Sequence, residues 1–300
     1  MKIVIEAQHE GKLLRTYLRE LGVSAALLAR LKREERGILQ NGTPVTVRAL
    51  LHAGDLLELS IEDTVPPVHV LPRALPLELL LQTPELLVCN KPANMPTHPS
   101  HGHFEDTLAN ALVYHLSTEE APFRPRFINR LDRNTTGAVL VARHALAAAA
   151  LSRAMAQGQI KKRYLALVHG MLREPRCIDA DIRRRSESII FREACEKGAG
   201  ERAVTYVTPL ATNGELTLVA LLPETGRTHQ LRVHMASIGH PLLGDDLYGY
   251  ADGFPRHALH AHVLRFPNAK GEEIEVRAPV PEDMLAVIET LGKEALIYAK

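Results

Sequence analysis

Long hydrophobic runs are missing from this chain. No window of its 300 residues reaches the roughly 18 consecutive apolar residues of a membrane-spanning helix. The start, Met1-Lys2-Ile3-Val4-Ile5-Glu6, is too short and too soon charged for a secretory leader. Cysteine is scarce: Cys89, Cys177 and Cys195 lie far apart and form no C-x-x-C pair, which argues against structural zinc and against a disulfide framework. These absences set the expectation of a cytoplasmic protein in a reducing compartment. Net charge is nearly absent too, +1 with a pI near 7.9, so the chain is no general basic coat and a polyanion must meet local patches. Cofactor signatures are lacking as well. Gly198-Ala199-Gly200 has neither the strand-to-helix context nor the Lys-Ser/Thr of a phosphate loop. No G-x-S-x-G sets up a nucleophilic serine, and His98, His101 and His103 with Glu105 and Asp106 match no closed metal-ligand spacing. The expectation is chemistry by side chains alone, with no metal and no cofactor.

What is present begins with material for a core. At 46% hydrophobic and 24% charged, 300 residues suffice for one large domain plus a small one, or two. Residues 1–62 read as the small unit. Leu13, Leu14, Tyr17, Leu18 and Leu21 recur at helical spacing, Gly22 closes that helix, and Ser24 suits the N-cap of a second one running to Arg33. Ile38 to Val45 predicts a strand, an Asn41-Gly42 turn and a return, and Leu56 to Ile61 a last strand. Residues 63–76 carry Pro66, Pro67, Pro72 and Pro76 with little periodicity and read as a linker. In residues 77–300, strands at 86–90, 164–168, 203–207 and 216–222 mix with helices at 107–116 and 144–155 without a βαβ rhythm. That order predicts an α+β domain with a mixed, mainly antiparallel central sheet flanked by helices and loops.

The charge is unevenly spread. Between Arg124 and Arg143 there are five arginines and one acid, Asp132; from Arg227 to His240 there are two arginines, three histidines and no acid. An Asp between Arg130 and Arg133 is also what a surface ion pair looks like. A tyrosine after Lys161-Lys162-Arg163, and the polar run Glu224 to His234, carry more hydrogen-bonding groups than a solvated loop requires. In that run Leu231 and Val233 alternate, which predicts a strand with Arg232 and His234 on its other face, lining a cleft or bonding the sheet.

Taken together, Arg130-Leu131-Asp132-Arg133 with Thr135-Thr136-Gly137 resembles the R-L-D-x-x-T-S-G motif of the RluA-type pseudouridine synthases. Lys161 to Gly170 resembles that family's second motif, Gly226 to Arg232 its third, Gly239 to Gly249 a downstream extension, and Asn90-Lys91-Pro92 with Met95 to Pro99 an upstream segment. Residues 1–62 resemble the S-four-type RNA-binding module, a common companion, with Arg30, Lys32, Arg33 and Arg36 as its phosphate-facing edge; the same charges also suit a solvated helix face. Asn129, Asn134 and Thr136 depart from the histidine, aspartate and serine frequent in the family.

The resemblance implies an isomerase that breaks the bond from ribose to uracil nitrogen in ribosomal or transfer RNA, turns the base and rejoins it through carbon. Asp132 would be the reacting carboxylate, either a nucleophile at the sugar carbon or the base that starts an elimination. Tyr164 would stack on uracil and is a candidate base for the final proton. Arg227 would be the cation paired with Asp132, since a charge within about 4–6 Å lowers a carboxylate pKa. Arg133 would fill the space of a flipped uridine, Arg130 would brace the loop, Arg232 is a candidate RNA contact, and Gly137 would permit a tight turn into the following strand. The family default is a monomer. Two rivals are a non-catalytic RNA-binding or assembly factor, and a nucleoside hydrolase, which needs a second carboxylate.

Overall fold

The computed structural model describes residues 1–63, 65–118, 121–186, 188, 190–250, 252–268 and 271–299. Its first 61 residues form a small sheet under two helices. The elements are β1 (Lys2–Val4), α1 (Leu14–Glu20), α2 (Ala25–Leu31), β2 (Ile38–Gln40), β3 (Thr43–Pro44) and β4 (Leu56–Leu59), with strand order β1-β4-β2-β3. Ser24 caps α2 by accepting from the Leu27 N–H at 3.2 Å, and Asn41 and Gly42 both take the positive φ that the β2–β3 hairpin needs. Leu14, Leu18, Leu31 and Leu57 are fully buried, and Leu146 from the larger unit packs into the same core. The expectation for Arg30 needs correcting. Its guanidinium donates to the carbonyls of Ser60 and Glu62 at 2.8 and 2.9 Å, so it closes the unit instead of facing a phosphate. Lys32 and Arg33 remain exposed. The segment after this unit is not free at its start, because Asp63 accepts from Nη1 and Nη2 of Arg126 at 2.9 and 2.5 Å.

The larger unit runs β5 (Leu79–Gln82), β6 (Leu86–Lys91), α3 (Leu108–Leu116), β7 (Arg126–Phe127), β8 (Thr136–Ala142), α4 (Ala145–Ala156) and β9 (Lys161–His169). It continues with β10 (Arg176–Asp179), β11 (Asp181–Arg184), β12 (Arg192–Cys195), β13 (Val204–Thr212), β14 (Leu216–Pro223), α5 (Gln230–Ser237), β15 (Leu259–Pro267), β16 (Glu273–Arg277) and α6 (Glu282–Thr290). Among the described residues ten of these strands make one sheet, in the order β10-β13-β14-β9-β15-β8-β6-β5, with β16 on β15 and β7 on β8. All its pairings are antiparallel except β15 with β8. The period-2 alternation of side chains sorts the core. Leu87, Cys89, Val139 and Val141 face α3 with Tyr164 and Val168, while Leu86, Val88 and Leu140 face α4.

Two local expectations change. Gln230–Ser237 is a helix, not a strand; it is buried on nearly every side, so its polar residues lie inside and the Leu231/Val233 alternation carries no information about period. Gly137 sits within β8, not in a turn. It has φ +109°, and a Cβ there would lie 2.3 Å from the Ala261 carbonyl oxygen, so the glycine is what lets β15 approach β8.

Candidate active site

The loop from Ile128 to Thr135 joins β7 to β8 and carries Asp132. Several side chains fix it. Thr97 Oγ1 donates to the Leu131 carbonyl at 2.9 Å and accepts the Leu131 N–H at 3.2 Å. Lys91, fully buried, donates to the carbonyls of Pro92, Met95 and Arg133 at 2.8, 2.8 and 2.9 Å. Burial pulls its pKa down to about 7 against the pull of Asp132, while three acceptors match the three protons of the ammonium. On the far side Thr135 Oγ1 meets His257 Nε2 at 2.8 Å. Burial lowers the His257 pKa to about 3, so this imidazole is neutral. Asn129 accepts the Leu140 N–H at 2.8 Å and donates to the Ala138 carbonyl, and Thr136 Oγ1 meets His260 Nδ1 at 2.8 Å. Both residues therefore seat β8; nothing in the structure explains the side chain at Asn134.

The Asp132 carboxylate, 22% exposed, has Arg232 Nη1 at 3.8 Å and His229 Nε2 at 4.0 Å. Among the described residues neither of its oxygens accepts a direct hydrogen bond. The pairing expected with Arg227 is corrected here. Arg227 lies in the turn before α5 and points outward, to Glu201 at 2.8 Å and to the Arg202 carbonyl at 3.0 Å. Arg232, in the first turn of α5, points back to the loop. Its Nε and Nη2 hold the fully buried Asp245 at 2.8 and 2.6 Å, and the ring of Tyr248 lies 5.1 Å from its guanidinium carbon. Burial would raise the Asp245 pKa, but the Arg232 hydrogen bonds outweigh it and hold the carboxyl below its ordinary value.

His229 takes a left-handed conformation, φ 57°, at the N-cap of α5. Tyr248 Oη accepts the Arg192 N–H at 3.0 Å and lies 2.9 Å from His229 Nδ1. Where the phenol donates to Nδ1, the other ring nitrogen, Nε2, carries the proton and faces Asp132. Burial keeps this imidazole's pKa below its ordinary value, outweighing the pull of Asp132. Tyr164 leaves β9 into the same space. Burial, and to a lesser degree Asp132, raises its phenol pKa, so the group is held protonated, which fits a surface for a ring better than a resting phenolate base.

Asp132, Tyr164, Arg227, Arg130 and Arg232 all line one cavity of about 420 Å³, within the roughly 300–1,000 Å³ of small-molecule clefts. Arg130 braces the rim through Thr228 Oγ1 at 3.2 Å. Arg133 is exposed and turned to Asn94 Oδ1 and His103. Arg30, Lys32 and Arg33 do not line the cavity. The sequence reading did not single out His229, Lys91, His257, Tyr248 or Asp245. Lys91 stood in the Asn90-Lys91-Pro92 segment without a role of its own, two residues past the apolar run Leu86 to Cys89.

Residues 85–237 match the RNA pseudouridylate synthase family. The chain is 38% identical over 275 residues to the RNA pseudouridine synthase YjbO of Bacillus subtilis, covering 91% of this chain and 96% of that protein. It is 35% identical over 290 residues to the ribosomal large subunit pseudouridine synthase D of Zymomonas mobilis, covering 89% and 92%. The human RNA pseudouridylate synthase domain containing 1 superposes with a TM-score of 0.59 at 29% identity, over 76% of this chain and 95% of that one.

Proposed function

The chain belongs to the RluA-type RNA pseudouridine synthase family, and from that premise we propose that it isomerises uridine in large-subunit ribosomal RNA with Asp132 as the reacting carboxylate. The ribosomal target is supported by relatives named ribosomal large subunit pseudouridine synthase D. One observation carries the role of Asp132: a half-enclosed carboxylate, charge-paired with Arg232 at 3.8 Å yet accepting no direct hydrogen bond from a described residue. Such a group keeps both oxygens for the substrate. Tyr164 supplies a face for uracil. Arg130, Arg133 and Arg227 stand at or near the cavity mouth, where phosphates of the same strand pass. The reaction conserves atoms and oxidation state, so the residues need no cofactor. Residues 1–62 serve as an S-four-type RNA-binding module ahead of the catalytic domain, and the protein acts as a cytoplasmic monomer.

The test is Asp132→Asn, checked for native folding and RNA binding, on large-subunit RNA labelled with tritium at uridine C5. Tritium release falls at least 10³-fold if Asp132 reacts with the substrate. Release at the wild-type rate eliminates this role. Pseudouridine lost only from transfer RNA in a deletion strain moves the target, and no release by the wild-type protein from either RNA returns the non-catalytic reading.

A further inference from the structure

Of the cavity's cations, one has no protein partner. Arg130 reaches Thr228, Arg227 reaches Glu201, and Arg232 holds Asp245. Lys162 Nζ, among the described residues, meets neither a carboxylate nor a hydrogen-bond acceptor, although Lys162 lines the same space. Its position follows from β9. Residues two apart on a strand share a face, about 6.6 Å apart, so Lys162 and Tyr164 both turn toward the cavity. Lys162 Nζ lies 3.8 Å from where a Cβ on Gly226 would sit, beneath the turn that leads to α5. Tyr164 sits opposite Ala261, whose other neighbour is Gly137 just past the Asp132 loop, whereas Lys162 sits two residues farther along β9, opposite Leu264. The cavity thus has a carboxylate end, an aromatic wall and a separate ammonium end.

We propose that Lys162 is a specificity-determining and catalytic residue that donates a hydrogen bond to O4 of the flipped uracil. The assignment rests on the pseudouridine synthase reading above. With ribose C1′ at Asp132 and the ring against Tyr164, the atom farthest from the sugar is O4, directly across the ring from N1. An ammonium there favours the uracil carbonyl and rejects cytosine, whose amino group at that position offers only protons. It also acts on the reaction. When the N1–C1′ bond breaks, its electron pair leaves with N1. The resulting uracil anion carries charge on O2 and O4, whether Asp132 bonds to C1′ or takes the C2′ proton. C5 then bonds to C1′, either displacing the carboxylate or adding to the glycal as C2′ takes its proton back from Asp132; the C5 proton is lost, and N1 gains one. No atom is added or removed overall. Lys162 keeps its proton throughout and stabilises the ring while it is charged. A phosphate is the less suitable ligand, because the backbone stays at the mouth with the arginines while Lys162 is half-buried beside Tyr164.

The test uses large-subunit RNA transcribed with uridine or with 4-thiouridine, whose sulfur is a weaker acceptor at that position. For the uridine transcript, K162M lowers the single-turnover rate at saturating enzyme by about 10²-fold, the size seen for removal of one donor at a developing charge. The RNA Kd stays within about twofold, and K162R recovers most of the rate. Sulfur substitution slows the wild-type protein but leaves K162M at its own rate. An unchanged K162M rate overturns the assignment. So does a raised Kd with a shallower salt dependence and a normal maximal rate, which marks a phosphate contact, or an equal K162M defect on both transcripts. A wild-type protein inactive on these transcripts and on total RNA from cells lacking the gene overturns the enzymatic reading, and this one with it.

Discussion

Arg232 faces the buried Asp245 and the loop carboxylate Asp132, with the exposed Asp246 at 3.8 Å from Nη2. Asp245, fully buried, takes Nε and Nη2, and Nη1 is left facing Asp132. Removing the cation therefore does two things. Arg232→Met leaves Asp245 buried without its counter-charge, at a cost of about 3–5 kcal/mol in urea unfolding, and it lowers pseudouridine formation by releasing Asp132. Arg227→Met breaks only the exposed pair with Glu201 and the bond to the Arg202 carbonyl, so stability changes by about 1 kcal/mol or less, and single-turnover rates at saturating enzyme stay near wild type. The reverse pattern, with Arg227→Met the inactive variant, would refute the Asp132–Arg232 pairing. Asp132 and Tyr164 were legible from their motifs. The choice between Arg227 and Arg232 was not, because two arginines five residues apart differ only in the phase of a helix whose existence the sequence hid. His257 was hidden for another reason: its partner is a threonine 122 residues away, a contact with no local trace.

At the scale of elements, most helices and strands followed from periodicity, capping and turn residues. Ser24, Asn41-Gly42 and the run Ala138 to Ala142 each announce what they form. α5 escaped because a helix buried on nearly all sides has no polar stripe to reveal its 3.6-residue period. The seam between β8 and β15 escaped as well, since a glycine needed for close approach looks in sequence like a glycine needed for a turn. The two kinds separate on mutation. Gly137→Ala pushes a methyl into the Ala261 carbonyl from a left-handed backbone and lowers stability by about 2–5 kcal/mol. Gly102→Ala, at φ +78° with open space around it, costs only about 1 kcal/mol. Urea unfolding of the two variants side by side checks the contrast; equal losses would mean that the seam is not tight.

For the whole molecule, the buried histidines govern the response to acid. The pKa of His257 falls to about 3 and that of His260 to about 4, both mainly through burial, against 6.5 for a free imidazole. Above pH 6.5 these rings are neutral folded or unfolded. Below it the unfolded chain takes up protons that the folded one refuses, so stability falls as pH drops from 6.5 toward 3–4. His229 and His234, also lowered by burial, act in the same direction. The urea midpoint is expected to be lower at pH 5 than at pH 7, and His257→Gln to flatten that slope; a midpoint indifferent to pH would count against neutral buried rings. The order of the strands has a consequence for synthesis. β15 fills the slot between β8 and β9, yet about ninety residues are translated between β9 and β15. A growing chain thus carries a sheet split at its middle, with Thr135 and Thr136 lacking the two histidines that hold them. At roughly 5–20 residues per second the ribosome holds that gap open for several seconds. Until it closes, the nascent chain exposes two apolar strand edges to whatever chaperone is near, and the loop that carries Asp132 lacks the histidine that fixes its end.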